Sequence, residues 1–71
     1  MRYFEQQRHD FIAQRIQKPG FINRSDIMQK FGVSTPTASH DLTKFQDLHP
    51  GQMVYDATAK RYQRVNGEAK T

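Results

Sequence analysis

Apolar residues along the chain fall into short sets, each with its own period. Phe4, Phe11, Ile12 and Ile16 recur at i, i+7, i+8 and i+12, which predicts one apolar face of a helix from about Tyr3 to Lys18. Pro19-Gly20 stops that helix, and Phe21-Ile22 is long enough only for a small strand. Asn23 followed three residues later by Asp26 reads as a capping-box start. The second helix then runs from about Arg24 to Phe31 and buries Ile27, Met28 and Phe31. Gly32 stands where a left-handed C-cap is wanted. Ser34 or Thr35 caps a third helix, with Pro36 in its first turn, where a missing N–H costs nothing. Ala38, Leu42 and Phe45 give this helix a core face, and His49-Pro50-Gly51 ends it near Leu48. Two Val- and Tyr-containing runs, "QMVYD" and "KRYQRV", predict a β-hairpin from about Gln52 to Val65. Residues 66–71, "NGEAKT", read as a flexible polar tail beyond a single domain at 1–65. The expected fold is mostly α with a small hairpin, in the chain order of a winged helix-turn-helix.

The third helix is made of poor helix formers. Ser34, Thr35, Thr37, Ser39 and Thr43 place hydroxyls at half of the ten positions from Ser34 to Thr43, and such side chains compete for backbone hydrogen bonds. With 100° per residue, Ala38, Leu42 and Phe45 cluster on one side, while Pro36, His40, Thr43 and Asp47 land opposite. Thr37, Ser39 and Lys44 fall on the flanks, and Asp41 lies at the core edge, placed to bond back to the scaffold. The outward face of the N-terminal half is therefore small, hydroxyl-rich and nearly free of acid. Short side chains permit close approach to a DNA major groove and offer donors and acceptors to base edges; the helix N-terminus offers N–H groups to phosphate. The same hydroxyls also suit plain capping, so the neighbouring elements decide. The hairpin tip carries Thr58, Lys60 and Arg61, which suit a wing that reaches a phosphate or the minor groove. Tyr55 and Tyr62 are expected to pack the hairpin onto the helices.

Charge and composition sharpen this picture. The 71 residues carry a net charge of +4, with an excess of two positive charges in residues 1–22 and again in 51–71, and balance in 23–50. A basic excess favours an anionic partner. No apolar run is long enough for a membrane span, so no membrane partner is expected. The chain has no cysteine, so neither a disulfide framework nor a thiolate metal site supports it; this suits a reducing, cytoplasmic setting. His9, His40 and His49 lack metal-ligand spacing. Ser39-His40-Asp41 has triad residue types, but adjacent helical residues diverge by about 100° and cannot form that geometry. There is no glycine-rich phosphate loop. Neither enzyme activity, nor a cofactor, nor a small-molecule ligand is expected.

From Asn23 to Val65, the segments "NRSDIMQKFGVS", "TASHDL", "FQDLHPG" and "VYDATAKRYQ" resemble the N-terminal winged helix of WYL-domain transcription regulators, above all repressors of phage-defence operons. The "FGVS…DL" core is also similar to DeoR-type helix-turn-helix domains. The resemblance implies a homodimeric repressor that reads an inverted repeat in double-stranded DNA. It places contacts on Thr35, Thr37, Ser39, His40 and Lys44, with Ser25 or Arg24 on the backbone. Such regulators continue into a ligand-sensing domain and a dimerising segment, so effector sensing does not carry over to this chain. A protein-binding winged helix, such as an antirepressor, and an excisionase-like architectural DNA binder remain the alternatives.

Overall fold

A computed structural model describes residues 2–65; the tail expected at 66–71 lies outside the described residues. Helix α1 spans Tyr3–Gln17, strand β1 Phe21–Ile22, α2 Arg24–Phe31, α3 Thr35–Leu48, β2 Met53–Asp56 and β3 Arg61–Arg64. The three helices and the antiparallel hairpin form a winged helix-turn-helix. The sheet has the order β1-β3-β2, with Ile22 opposite Tyr62 and Tyr55 opposite Tyr62 on the other edge. The expected hairpin is therefore clamped to the helices through β1, and Arg64 N–H donates to the Gly20 carbonyl at 2.9 Å. Among the described residues, no helix is long and apolar enough to cross a membrane.

Ile12, Ile16, Ile22, Ile27, Ala38, Leu42, Phe45 and Met53 form the core. The α3 face is buried as its spacing predicts. The α1 stripe is narrower than expected, because Phe4 is 74% exposed and meets only Tyr3, edge to face, at 5.3 Å. Eight residues of helix rotate Phe4 about 80° away from Ile12, and the position facing α3 at that level belongs to Glu5. Phe31 is half-buried, edge-on to Phe11 at 5.6 Å, and Met28 is half-buried as well. Tyr62 packs against the core, and Tyr55, 48% exposed, meets Tyr62 edge to face at 5.0 Å.

Polar side chains hold α1 to α3. Asp41, completely buried, receives a two-pronged contact from Arg8: Nε meets Oδ2, and an Nη donates to Oδ1 at 3.3 Å. Close by, Lys44 Nζ lies 3.1 Å from Glu5 Oε2. His9 sits in this bracket with 3% exposure, tilted against Phe45 at 5.8 Å. Neither ring nitrogen has a hydrogen-bond partner. Burial pushes the His9 imidazole below its ordinary value, while the carboxylates of Asp41 and Glu5 pull it back up. Burial is the larger effect, so the neutral ring is the folded form.

Removing one partner of a buried ion pair leaves the other uncompensated, at about 3–5 kcal/mol. A domain this small has only about 5 kcal/mol of net stability to lose. Arg8→Ala is therefore expected to lower the urea midpoint by most of its value, and Arg8→Met combined with Asp41→Leu to restore it. Equal losses in the single and double variants would show that the packing of the stems matters, not the charge. The unfolded chain takes up a proton at His9 near its ordinary value of 6.5, which the folded chain refuses until a lower pH. Stability is thus expected to be full above that value and to fall as pH drops from 7 toward 5. Urea midpoints across this window should flatten in His9→Leu; an unchanged slope would assign the loss to other groups.

Candidate nucleic-acid interface

Gly32 closes α2 in the left-handed region, at φ 67° and ψ 33°, and donates its N–H to the Met28 carbonyl at 2.8 Å. Glycine takes this conformation without the Cβ penalty of other residues, so the chain turns sharply into α3. Ser34 is the cap residue, its Oγ accepting the Thr37 N–H at 3.4 Å, and Pro36 lies in the first turn. The Thr35 hydroxyl points toward Met28 Sδ at 3.5 Å. Part of the hydroxyl content of α3 thus starts the helix and fixes it to α2. Pro36, His40 and Thr43 remain exposed on the outer side, with half-buried Thr37 and Ser39 beside them. Asp41, on the same helix, is turned inward onto Arg8. Asp47, near the far end, is the first exposed acid of the helix.

At the start of α2 the capping box is complete: Asn23 Oδ1 accepts the Asp26 N–H at 3.1 Å, and Asp26 Oδ2 accepts the Asn23 N–H at 3.0 Å. Ser25 donates to Asn23 Oδ1 at 2.6 Å and stays exposed at the surface. Arg24, the first helical residue, extends across to α3, where an Nη lies 3.4 Å from Ser39 Oγ. In the wing, Asp56 Oδ1 accepts the N–H groups of Thr58 and Ala59 at 2.9 and 3.1 Å, an Asx-type turn that presents Thr58 at the tip. Lys60 ends the turn at φ 57°, a left-handed conformation uncommon for a residue with a Cβ.

The structure draws Arg24, Ser25, Thr35, Ser39, Lys60 and Arg61 around one cleft of about 500 Å³ between α2, α3 and the wing. Tyr55, Tyr62 and Met28 give the cleft an apolar lining. Two basic residues singled out from the sequence have partners within the fold. Lys44 faces α1 and pairs with Glu5, holding that carboxyl below its ordinary value. The Arg61 guanidinium lies 4.1 Å from the centre of the Phe21 ring on β1, a cation–π contact that ties β3 to β1. Arg24 and Lys60, by contrast, have no carboxylate within ion-pair distance among the described residues. Tyr55, two residues from Met53 on β2, lines the cleft beside its cross-strand partner Tyr62.

Glu5, His9 and Asp41 come within 4.8 Å of one another, a grouping that histidine spacing alone does not reveal. Lys44 and Arg8 already neutralise its two carboxylates, so a metal ion there competes with two resident cations.

Residues 5–67 match the family described as the BrxR transcriptional regulator winged helix-turn-helix domain. The chain is also similar to the DNA-binding transcriptional repressor CapW of Stenotrophomonas maltophilia, 44% identical over 62 residues, or 87% of this chain and 21% of that protein. CapW of Pseudomonas aeruginosa is 38% identical over 61 residues, covering 86% of this chain and 20% of that protein. The chain spans about a fifth of the length of these curated relatives. With its turn, its third helix and its wing in the expected order, the chain belongs to the BrxR family of winged helix-turn-helix transcriptional regulators.

Proposed function

We propose that the chain reads double-stranded DNA in a sequence-specific way and acts in transcriptional repression. One observation carries this reading: the exposed, acid-free outer face of the first half of α3, flanked by Arg24 and Lys60, which have no carboxylate partner among the described residues. In the bound state Pro36, His40 and Thr43, with Thr37 and Ser39 beside them, face base edges in the major groove. Arg24, Ser25, Thr35 and Lys60 meet the sugar-phosphate backbone, and Thr58 leads the wing along it. Lys44 and Arg61 serve first as ties to α1 and β1 and supply positive potential at the margin. The two CapW proteins carry the name of repressors, which supports repression over activation.

A single module of this kind covers roughly 600–1,000 Å² of DNA. Useful discrimination therefore calls for two copies, and a homodimer on an inverted repeat is the arrangement with matched symmetry. The exposed Tyr3–Phe4 pair lies on α1, away from the α3 face, and is a surface that either a second copy or a protein partner can cover.

Selection from random duplex DNA tests this directly. An enriched inverted repeat is expected, and His40→Ala should relax preference at one base pair per half-site by about 1–3 kcal/mol while leaving affinity for mixed-sequence DNA nearly unchanged. An enriched direct repeat would favour an architectural binder. Absence of any retention on DNA at low salt would leave protein binding as the function of the scaffold.

A further inference from the structure

Two positive charges that line one cleft repel each other unless an anion lies between them. Arg24 and Lys60, both exposed and without a carboxylate partner among the described residues, line one cleft together with Met28, Tyr55 and Tyr62. Arg24 is directed toward α3 by its contact with Ser39 Oγ, and Lys60 stands at the end of the wing turn, where its backbone is left-handed. The neighbouring cations are already engaged: Arg15 with Asp26, Lys44 with Glu5, Arg8 with Asp41 and Arg61 with the Phe21 ring. Among the described residues, the cleft is therefore left with positive charge that no carboxylate meets.

We propose that Arg24 and Lys60 close on one and the same phosphodiester of the DNA backbone, from opposite sides of the cleft. The inference rests on the DNA-binding reading above and specifies how the wing takes part in it. A phosphodiester carries one negative charge spread over two free oxygens, so it can accept from a guanidinium on one side and an ammonium on the other. Ser25, Thr35 and Ser39 bring hydroxyl groups to the lining of the same cleft. Such a clamp ties the wing to the start of α2 only when DNA is present. The wing then closes as part of binding, and its position sets the register of α3 in the groove.

The number of phosphates held is read from the salt dependence of binding, because each neutralised phosphate contributes about 0.9 to the slope of log K against log salt. The probe is a mixed-sequence DNA duplex titrated with the 71-residue chain. Arg24→Gln and Lys60→Gly are each expected to weaken binding about fivefold without changing the slope, because the remaining cation still neutralises the shared phosphate; the double variant should lower the slope by about 0.9. Slopes lowered by about 0.9 in each single variant and by about 1.8 in the double would overturn the clamp in favour of two separate phosphates. Unchanged affinity in both single variants would show that the cleft is not used. Lys60→Gly also keeps folding separate from binding, since glycine relieves the left-handed backbone, and its urea midpoint is expected to hold or rise. A wild-type chain that fails to bind the duplex even at low salt overturns the DNA-binding reading itself, a different result from either of the others.

Discussion

The contact between Arg8 and the buried carboxylate of Asp41 sets the geometry on which the rest depends. Asp41 stands beside Leu42 on α3 and is fully enclosed, so its charge has to be met from α1 in one rotational setting of the helix. An apolar face alone tolerates some roll, because neighbouring hydrophobic side chains are interchangeable at modest cost. A buried carboxylate with one partner does not tolerate it, because a small rotation leaves the charge unpaired. Lys44 and Glu5 add a second tie on the same side of the helix. With the inner side of α3 held in this way, Pro36, His40 and Thr43 are directed outward.

The same hydroxyl side chains that weaken α3 as an isolated helix join it to its surroundings. Ser34 caps it, Thr35 meets Met28, and Ser39 meets Arg24. These contacts all lie in the first two turns, where a helix that offers its N-terminal half to a partner most needs support. Tertiary packing of Ala38, Leu42 and Phe45 makes up for low propensity further along, as is usual for helices too short to persist alone. The start of α3 is therefore both its anchor and its contact surface.

Local signals were the legible ones. Asn23 with Asp26, Gly32, and Ser34 with Pro36 act within a few residues, so the bounds of α2 and the start of α3 follow from the sequence. The core face of α3 follows from its period. What escaped depends on distant neighbours. The pairing of β1 with β3 joins residues about forty positions apart and has no local mark. Phe4 aligns with Phe11 on a helical wheel but stands about 80° from Ile12, and among the described residues its ring meets only Tyr3. His9 and Glu5 look like surface residues until α3 is laid against them. Long cationic side chains are the hardest to place: Lys44 and Arg61 have enough reach to serve DNA or the fold, and the fold holds both.

Pairing within the fold decides where the positive charge can act. A net charge of +4 describes the whole chain, but a steering field is produced by the charges that lack a partner. Asp26, Asp41 and Glu5 remove Arg15, Arg8 and Lys44 from that field, and each of these pairs lies on the α1 side of the domain. Among the described cations without a carboxylate partner, Arg24 and Lys60 line the cleft beside α3. Internal pairing thus leaves positive charge available at the junction of the helix-turn-helix and the wing. A polyanion approaching that junction meets the outer face of α3 first, and the bracket between α1 and α3 is what keeps that face in place.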